Sequence, residues 1–329
     1  MKPFNPSFCL KNRHIQTLYS SFFRKSLHLD LEVETFPLED GDFVECHWHN
    51  KPLEGSNTPI IILFHGLAGS YKSPYIQGVM NEAQKNGFAS VVMNFRGCSG
   101  KENRLARAYH SGDSADALSW INSVTDRFPH SKIFTIGYSL GANMMLKLLG
   151  ELGKNSPITA SVAVSAPLQL DICADAINRG FSKFYQWHLL KALNISLEKK
   201  YQQHNMEKLI NFKKENVKNI KTFWEFDNIY TAPMHGFNSA QDYYTQCSSK
   251  QFLKDIQTPT LIIHSLDDPF MDNRMIPLSK ELSSNVTLEL SKYGGHVGFI
   301  EGNLLKPEYW LERNIVEFIK NRLEIIKEK

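Results

Sequence analysis

The chain has 329 residues, 42% hydrophobic and 12% aromatic, enough to bury a full core as one large domain or as one domain carrying an insertion. A formal net charge of +3 with no long Lys/Arg tract argues against a nucleic-acid partner. The five cysteines (Cys9, Cys46, Cys98, Cys173 and Cys247) are odd in number and lack Cys-x-x-Cys spacing, which excludes a disulfide framework or zinc site and points to a reducing compartment.

The N-terminal stretch "MKPFNPSFCLKNRHIQTL" has no apolar signal-like region, and runs such as "IIILF" are far shorter than a bilayer span. A cytoplasmic protein without a membrane anchor is the expectation. Short apolar and β-branched runs predict strands over 29–36, 43–49, 60–64, 90–95, 133–138, 160–164, 260–264 and 286–290. The first two alternate and meet at "EDGD", as in a hairpin; the rest read as buried parallel strands separated by helix-length segments. Helices are predicted over 74–86, 114–127, 140–152 and 307–327, where apolar residues recur at three and four. The fold class is therefore α/β, a mostly parallel eight-stranded sheet flanked by helices.

Residues 171–255 break the alternation with helical patterning and many aromatics, among them Phe181, Phe184, Tyr185, Trp187, Phe223, Trp224, Phe226 and Tyr230. They predict a helical cap or lid inserted into a core formed by 1–170 and 256–329. Residues 179–221 hold ten Lys/Arg against three Glu, about +7, while the rest of the chain sums to about −4. A solvated helical face explains interspersed lysines most simply; a basic cap that meets anionic substrates or a lipid surface is the sharper alternative.

Chemistry enters at "GYSLGANM", residues 137–144, where Ser139 stands between an apolar strand and a helical pattern. A sharp strand-to-helix turn requires small residues, supplied by Gly137, Gly141 and Ala142, and places the hydroxyl at a helix N-terminus that favours developing negative charge. A serine needs a base, and the base an orienting acid. "TLIIHSLDDPF" offers Asp267 and Asp268 just past one strand, and "LELSKYGGHVGFI" offers His296 just past the next, so all three types converge on one sheet edge. Asp267, first after the strand, is the expected triad acid; Asp268 is the alternative, or caps the turn at Pro269. The backbone N–H groups of Leu67, in "HGL", and of Leu140 are the expected oxyanion hole. His65 is expected to support that loop.

Other polar residues have structural explanations. Arg96, Arg104, Arg107, Tyr109, His110 and Asp113 suit an ion-pair network holding a loop, with Ser111 or Asp113 capping the next helix, more than a head-group site. His47 and His49 share a strand face but lack a third ligand, so neither a metal nor any other cofactor is expected.

The blocks "NRHIQTL", "HGLAGSYKSPYIQG", "VVMNFRGCSG", "RAYHSGDSADA", "GYSLGANM", "HSLDDPF" and "GGHVGF" together resemble the YheT-like branch of the α/β-hydrolases, predicted serine carboxylesterases and lipases. The resemblance runs from about residue 12 to the C-terminal helix. It implies an α/β-hydrolase fold with Ser139 as nucleophile, Asp267 and His296 as its partners, and a soluble bacterial-type member. The expected activity is cleavage of a small-molecule acyl ester through an acyl-enzyme. A thioesterase, amidase or acyltransferase with the same triad, or a silent hydrolase-fold binding protein, is the alternative. Acyl length, head group and oligomeric state are not encoded legibly.

Overall fold

The computed structural model describes residues 2–328, without the side chains of residues 21 and 22. A short helix, α1 (Arg13–Leu18), precedes a sheet of eight strands: β1 (Glu32–Pro37), β2 (Phe43–His49), β3 (Ile60–Phe64), β4 (Ala89–Met93), β5 (Ile133–Tyr138), β6 (Ala160–Val164), β7 (Thr260–Ser265) and β8 (Val286–Ser291). Their order is β1-β2-β4-β3-β5-β6-β7-β8. β2 runs antiparallel to both β1 and β4, and all pairings from β4 to β8 are parallel.

Strand β3 shows how the apolar runs build the core. Ile60, Ile62 and Phe64 face one side of the sheet and Ile61 and Leu63 the other, as the two-residue period requires. The first side packs on α3 (Ser114–Arg127) and α4 (Leu140–Leu152); the second packs on α2 (Pro74–Lys85) and the C-terminal helix Trp310–Lys327. Burying each such large side chain stabilises the fold by about 1.5–3 kcal/mol. All eight predicted strands are present. The first begins at Glu32 rather than 29, and the last helix at Trp310 rather than 307, because Pro307–Tyr309 pairs with Ile300–Gly302 as a small antiparallel ribbon.

Between β6 and β7 the chain leaves the sheet through α5 (Leu170–Ile177), α6 (Ser182–Gln203) and a series of shorter helices ending in Ala240–Cys247 and a turn at Ser249–Phe252, with no strand among the described residues. This excursion has its own apolar clusters, one around Leu190, Leu197, Met206 and Val217 and one around Leu170, Tyr243 and Tyr244. Polar anchors tie it to the sheet. Buried Lys200 donates from Nζ to the carbonyls of Leu105 (2.8 Å) and Asn103 (3.1 Å), while Asn143 of α4 donates to the Cys247 carbonyl (2.8 Å) and accepts from the Ser249 amide (3.0 Å).

The arginines after β4 are structural. Arg96 grips Asp116 with two nitrogens (2.6 and 2.7 Å) and reaches Asp40 (2.8 Å) and Asp42 (3.1 Å); Arg107 pairs with Asp113 (2.6 Å). Asp113 precedes α3 without a side-chain capping bond, so that expectation is corrected: its carboxylate is taken by Arg107. His49 bonds the Asp30 carbonyl and Gln84 through its two ring nitrogens, and His47 bonds Asn94 through Nδ1 and stacks on Tyr71. No helix among the described residues is long and apolar enough to cross a membrane.

Candidate active site

Strand β5 ends at Tyr138 and α4 starts at Leu140, so Ser139 alone makes the turn between them, at φ 51° and ψ −117°. That conformation costs a non-glycine residue about 1–3 kcal/mol and persists only where its surroundings hold it. Here the Ser139 amide donates to the Val164 carbonyl at 2.9 Å. A Cβ on Gly137 would lie 2.6 Å from the Ala142 Cα, across the turn as expected. A Cβ on Gly141 would instead lie 2.5 Å from the His65 carbonyl oxygen, so Gly141 clears the end of the neighbouring strand β3.

The Ser139 hydroxyl meets His296 Nε2 at 3.0 Å, and His296 Nδ1 meets an Asp268 carboxylate oxygen at 2.8 Å. The expectation that Asp267 would hold this imidazole is corrected. After β7 the chain turns tightly, with the Asp268 amide donating to the Ser265 carbonyl (3.2 Å), and the turn sends the two neighbouring side chains different ways. Asp267 accepts from the Gly295 amide at 2.9 Å. Asp268 emerges beneath the imidazole with its side chain 1% exposed, and its second oxygen accepts from the Phe270 amide at 2.9 Å. One carboxylate thus caps the turn and holds His296, functions weighed as alternatives from the sequence.

The loop that carries His296 rests on α1. The His296 amide donates to Thr17 Oγ1 (2.9 Å), and buried Gln16 donates to the carbonyl and accepts from the amide of Ile300 (3.0 and 2.7 Å). A Cβ on Gly295 would lie 2.6 Å from the Arg13 carbonyl oxygen, so glycine lets helix and loop touch. The "NRHIQTL" block is therefore a seat for the His296 loop. On its other side the imidazole stacks on Phe270, ring centroids 4.0 Å apart. Phe270 and Thr17 escaped sequence reasoning; neither carries a chemical signal, since both act only through proximity.

Leu67 and Leu140 line the same cavity as Ser139 and His296, and neither of their amides has a protein acceptor among the described residues. The loop bearing Leu67 is held by its neighbours: the Gly66 amide donates to Tyr75 Oη (2.9 Å), the Ala68 amide to Tyr109 Oη (3.0 Å). Buried His65 accepts from the Phe95 amide at Nε2 (3.1 Å) and donates from Nδ1 to the Gly66 carbonyl (2.7 Å). Burial lowers its imidazole to about 4, keeping the neutral tautomer that both bonds require. His65 supports the loop, as expected.

The cavity has a volume of about 510 Å³ and is walled on one side by the sheet edge and on the other by the helical excursion, including Leu193 and Ile195 of α6. Beside it, His110, Asp113 and His235 bring potential ligand atoms within 4.8 Å of one another, a juxtaposition hidden in the sequence because His235 comes from the excursion. Arg107 pairs with Asp113 and the Gly112 amide donates to His110 Nδ1 at 3.1 Å, while His235 Nε2 is buried without a hydrogen-bond partner among the described residues. Burial pushes both imidazoles down to about 3.

Residues 59–303 match the family described as the alpha/beta hydrolase fold. The chain is 41% identical over 321 residues to the Escherichia coli K12 protein named "Putative esterase YheT", covering 98% of this chain and 94% of that one. It is 31% identical to a monoacylglycerol lipase of Saccharomyces cerevisiae, over 80% of this chain and 59% of that protein. It is 27% identical to human phospholipase ABHD3, over 94% and 76% of the two chains. Among solved structures, the Pyrococcus furiosus esterase Pf2001 superposes with a TM-score of 0.55 at 17% identity, over 96% of this chain and 99% of that one. Est1E of Butyrivibrio proteoclasticus with bound ferulic acid gives 0.54 at 14% identity, over 88% and 99%. These last two likenesses are likenesses of fold.

Proposed function

The chain belongs to the alpha/beta hydrolase family, and on that premise we propose that it hydrolyses carboxylic esters through an acyl-enzyme formed on Ser139. The observation that carries this reading is the continuous hydrogen-bond path from Ser139 through His296 to Asp268, opening on a cavity with two unused amides. His296 Nε2 takes the hydroxyl proton as Ser139 Oγ attacks the ester carbonyl carbon. Asp268, bound to Nδ1, orients the ring and stabilises the imidazolium. The amides of Leu67 and Leu140 hold the oxyanion. The intermediate collapses with cleavage of the bond to the alcohol oxygen, which leaves with the proton from His296. A water then repeats the sequence on the acyl-enzyme, releasing the acid and free Ser139.

Residues 171–255 act in this reading as the cap that walls the acyl pocket over the core of 1–170 and 256–329. A fluorophosphonate probe tests the nucleophile: wild type is labelled and Ser139→Ala is not. Equal labelling of both removes Ser139 from the mechanism. Nitrophenyl esters of graded chain length test the pocket, which a flat rate profile contradicts. A thioesterase, amidase or acyltransferase using the same groups is separated by turnover of the matched thioester and amide, or of the ester with an acceptor alcohol.

A second feature concerns where such substrates are met. On the outer face of α6 and just before it, Phe181, Phe184 and Trp187 are 55%, 41% and 56% exposed, at helical spacing, with Lys191 placed 5.8 Å over the Trp187 ring. Exposed aromatics among lysines suit the interface of an anionic lipid surface. Co-sedimentation with phosphatidylglycerol vesicles, weakened in Phe184→Ala/Trp187→Ala, is the expected result; equal recovery of the variant removes this contact.

A further inference from the structure

Away from Ser139, the wall of the same cavity carries two carboxylates. Glu102 is paired with Lys199 at 2.8 Å. Asp227 is different: its two oxygens accept only from hydroxyls, Thr231 Oγ1 at 2.6 Å and Tyr244 Oη at 2.6 Å, and no cation pairs with it among the described residues. It occupies the first position of a π-helical turn, Asp227–Thr231, a widened turn of a kind that recurs at functional sites. Around it stand Phe223, Phe226, Tyr230, Tyr243 and Tyr244, all on the cavity wall.

A carboxylate drawn out of water without a cation is costly, and each of its oxygens keeps a free lone pair after accepting one hydroxyl. Burial pushes its carboxyl up to about 6, a sign of this unrelieved desolvation. Aromatic faces beside a carboxylate attract positively polarised groups: a hydroxyl hydrogen by hydrogen bonding, an ammonium by charge and ring quadrupole. A plain hydrocarbon chain can pack on the rings but leaves the free lone pairs of the carboxylate unmet.

We propose that Asp227 and its aromatic surround form a subsite for the hydrogen-bond-donating or cationic end of the substrate, making Asp227 a specificity-determining residue of the ester hydrolase. The inference rests on the ester-hydrolase reading. It assigns the substrate two unlike parts, a scissile ester at Ser139 and a hydroxyl- or ammonium-bearing group at Asp227.

The test uses the full chain and three matched esters whose remote end is a methyl, a hydroxyl or a trimethylammonium group. Wild type is expected to show kcat/KM at least about tenfold higher for one or both polar-ended esters than for the methyl-ended one. In Asp227→Asn that ratio should fall toward one. The arm that is preferred identifies the source of the chemistry, hydroxyl or ammonium. Absence of any preference in wild type overturns the subsite whether or not Asp227→Asn folds, as does a preference that survives in that variant. Failure of the hydrolase reading looks different: no ester of the three is turned over and Ser139 takes no fluorophosphonate. In that case, saturation-transfer NMR of added tetramethylammonium or glycerol still reads the subsite: contact with wild type that is lost in Asp227→Asn is expected, and no contact with either compound overturns it.

Discussion

Asp267 and Asp268, adjacent in sequence, hold adjacent residues of one loop: Asp267 accepts from the Gly295 amide and Asp268 from the His296 ring. The first bond positions backbone; the second holds the imidazole that, in the proposed mechanism, takes the Ser139 proton. Asp268→Asn should therefore lower kcat by about 10⁴-fold, because an amide in that place no longer stabilises the imidazolium and favours the wrong tautomer. Asp267→Asn should cost at most about 100-fold, through displacement of the loop. Steady-state kinetics on one nitrophenyl ester decide it; a larger loss in the Asp267 variant reverses the assignment.

Gly141 and the carbonyl of His65 are in close approach, and an added methyl has only backbone to push against. Gly141→Ala should cost about 1–3 kcal/mol, the range for overpacking a filled site. Thermal unfolding should show it as a fall of about 1.5 °C per kcal/mol. Activity should fall as well, since the same carbonyl begins the loop carrying the Leu67 amide. An unchanged melting temperature would mean that the contact is easily relieved.

Stability should drop on acidification. In the unfolded chain His65 takes a proton below about 6.5. In the folded protein it stays neutral until about 4. Between those values the unfolded state binds more protons, so stability falls as pH falls, by an amount on the order of 3 kcal/mol for this residue alone. His110 and His235, pushed down to about 3 by burial, act in the same direction. Asp227, raised to about 6, opposes them: it contributes stability fully below its unfolded value near 3.9, and that is lost as pH rises through 6. Three imidazoles outweigh one carboxyl. Melting temperatures should decline from about pH 6.5 to pH 4, less steeply in His65→Gln; an equal slope in the variant contradicts the assignment.

Lys200 joins the excursion to the loop after β4 through the carbonyls of Asn103 and Leu105. Lys200→Met leaves the Asn103 carbonyl without its donor and the Leu105 carbonyl with only Asn103 Nδ2 at 3.2 Å, at a cost of about 1–3 kcal/mol. Limited proteolysis should cut the variant within residues 171–255 at lower protease than wild type. Equal resistance would show that the apolar clusters alone secure this segment.

Much of this architecture is legible along the chain because it depends on neighbours in sequence. β3 is a continuous apolar run and β5 and β6 are nearly so, each broken by one hydroxyl residue, Thr135 and Ser161; all three are buried on both faces, so composition marks them. The elbow is equally local: Gly137, Ser139 and Gly141 act within one turn and its flanking elements. Residues 307–309 misled because Pro307–Tyr309 follows an apolar periodicity that continues into the last helix, while their strand pairing to Ile300–Gly302 depends on a partner outside the local window.

By itself the sequence determined the order of elements, the strand that presents Ser139, the loop that brings His296, and the two candidate acids after β7. Only the tertiary structure decided between those acids, because one peptide step in a tight turn redirects a side chain, and no propensity records the direction. It also revealed the use of α1 as a seat for His296, the stacking of Phe270 on the imidazole, and the presence of Asp227 on the wall of the cavity that Ser139 faces. These relationships join residues far apart in the chain, and such contacts exist only once the sheet and the excursion have closed on each other.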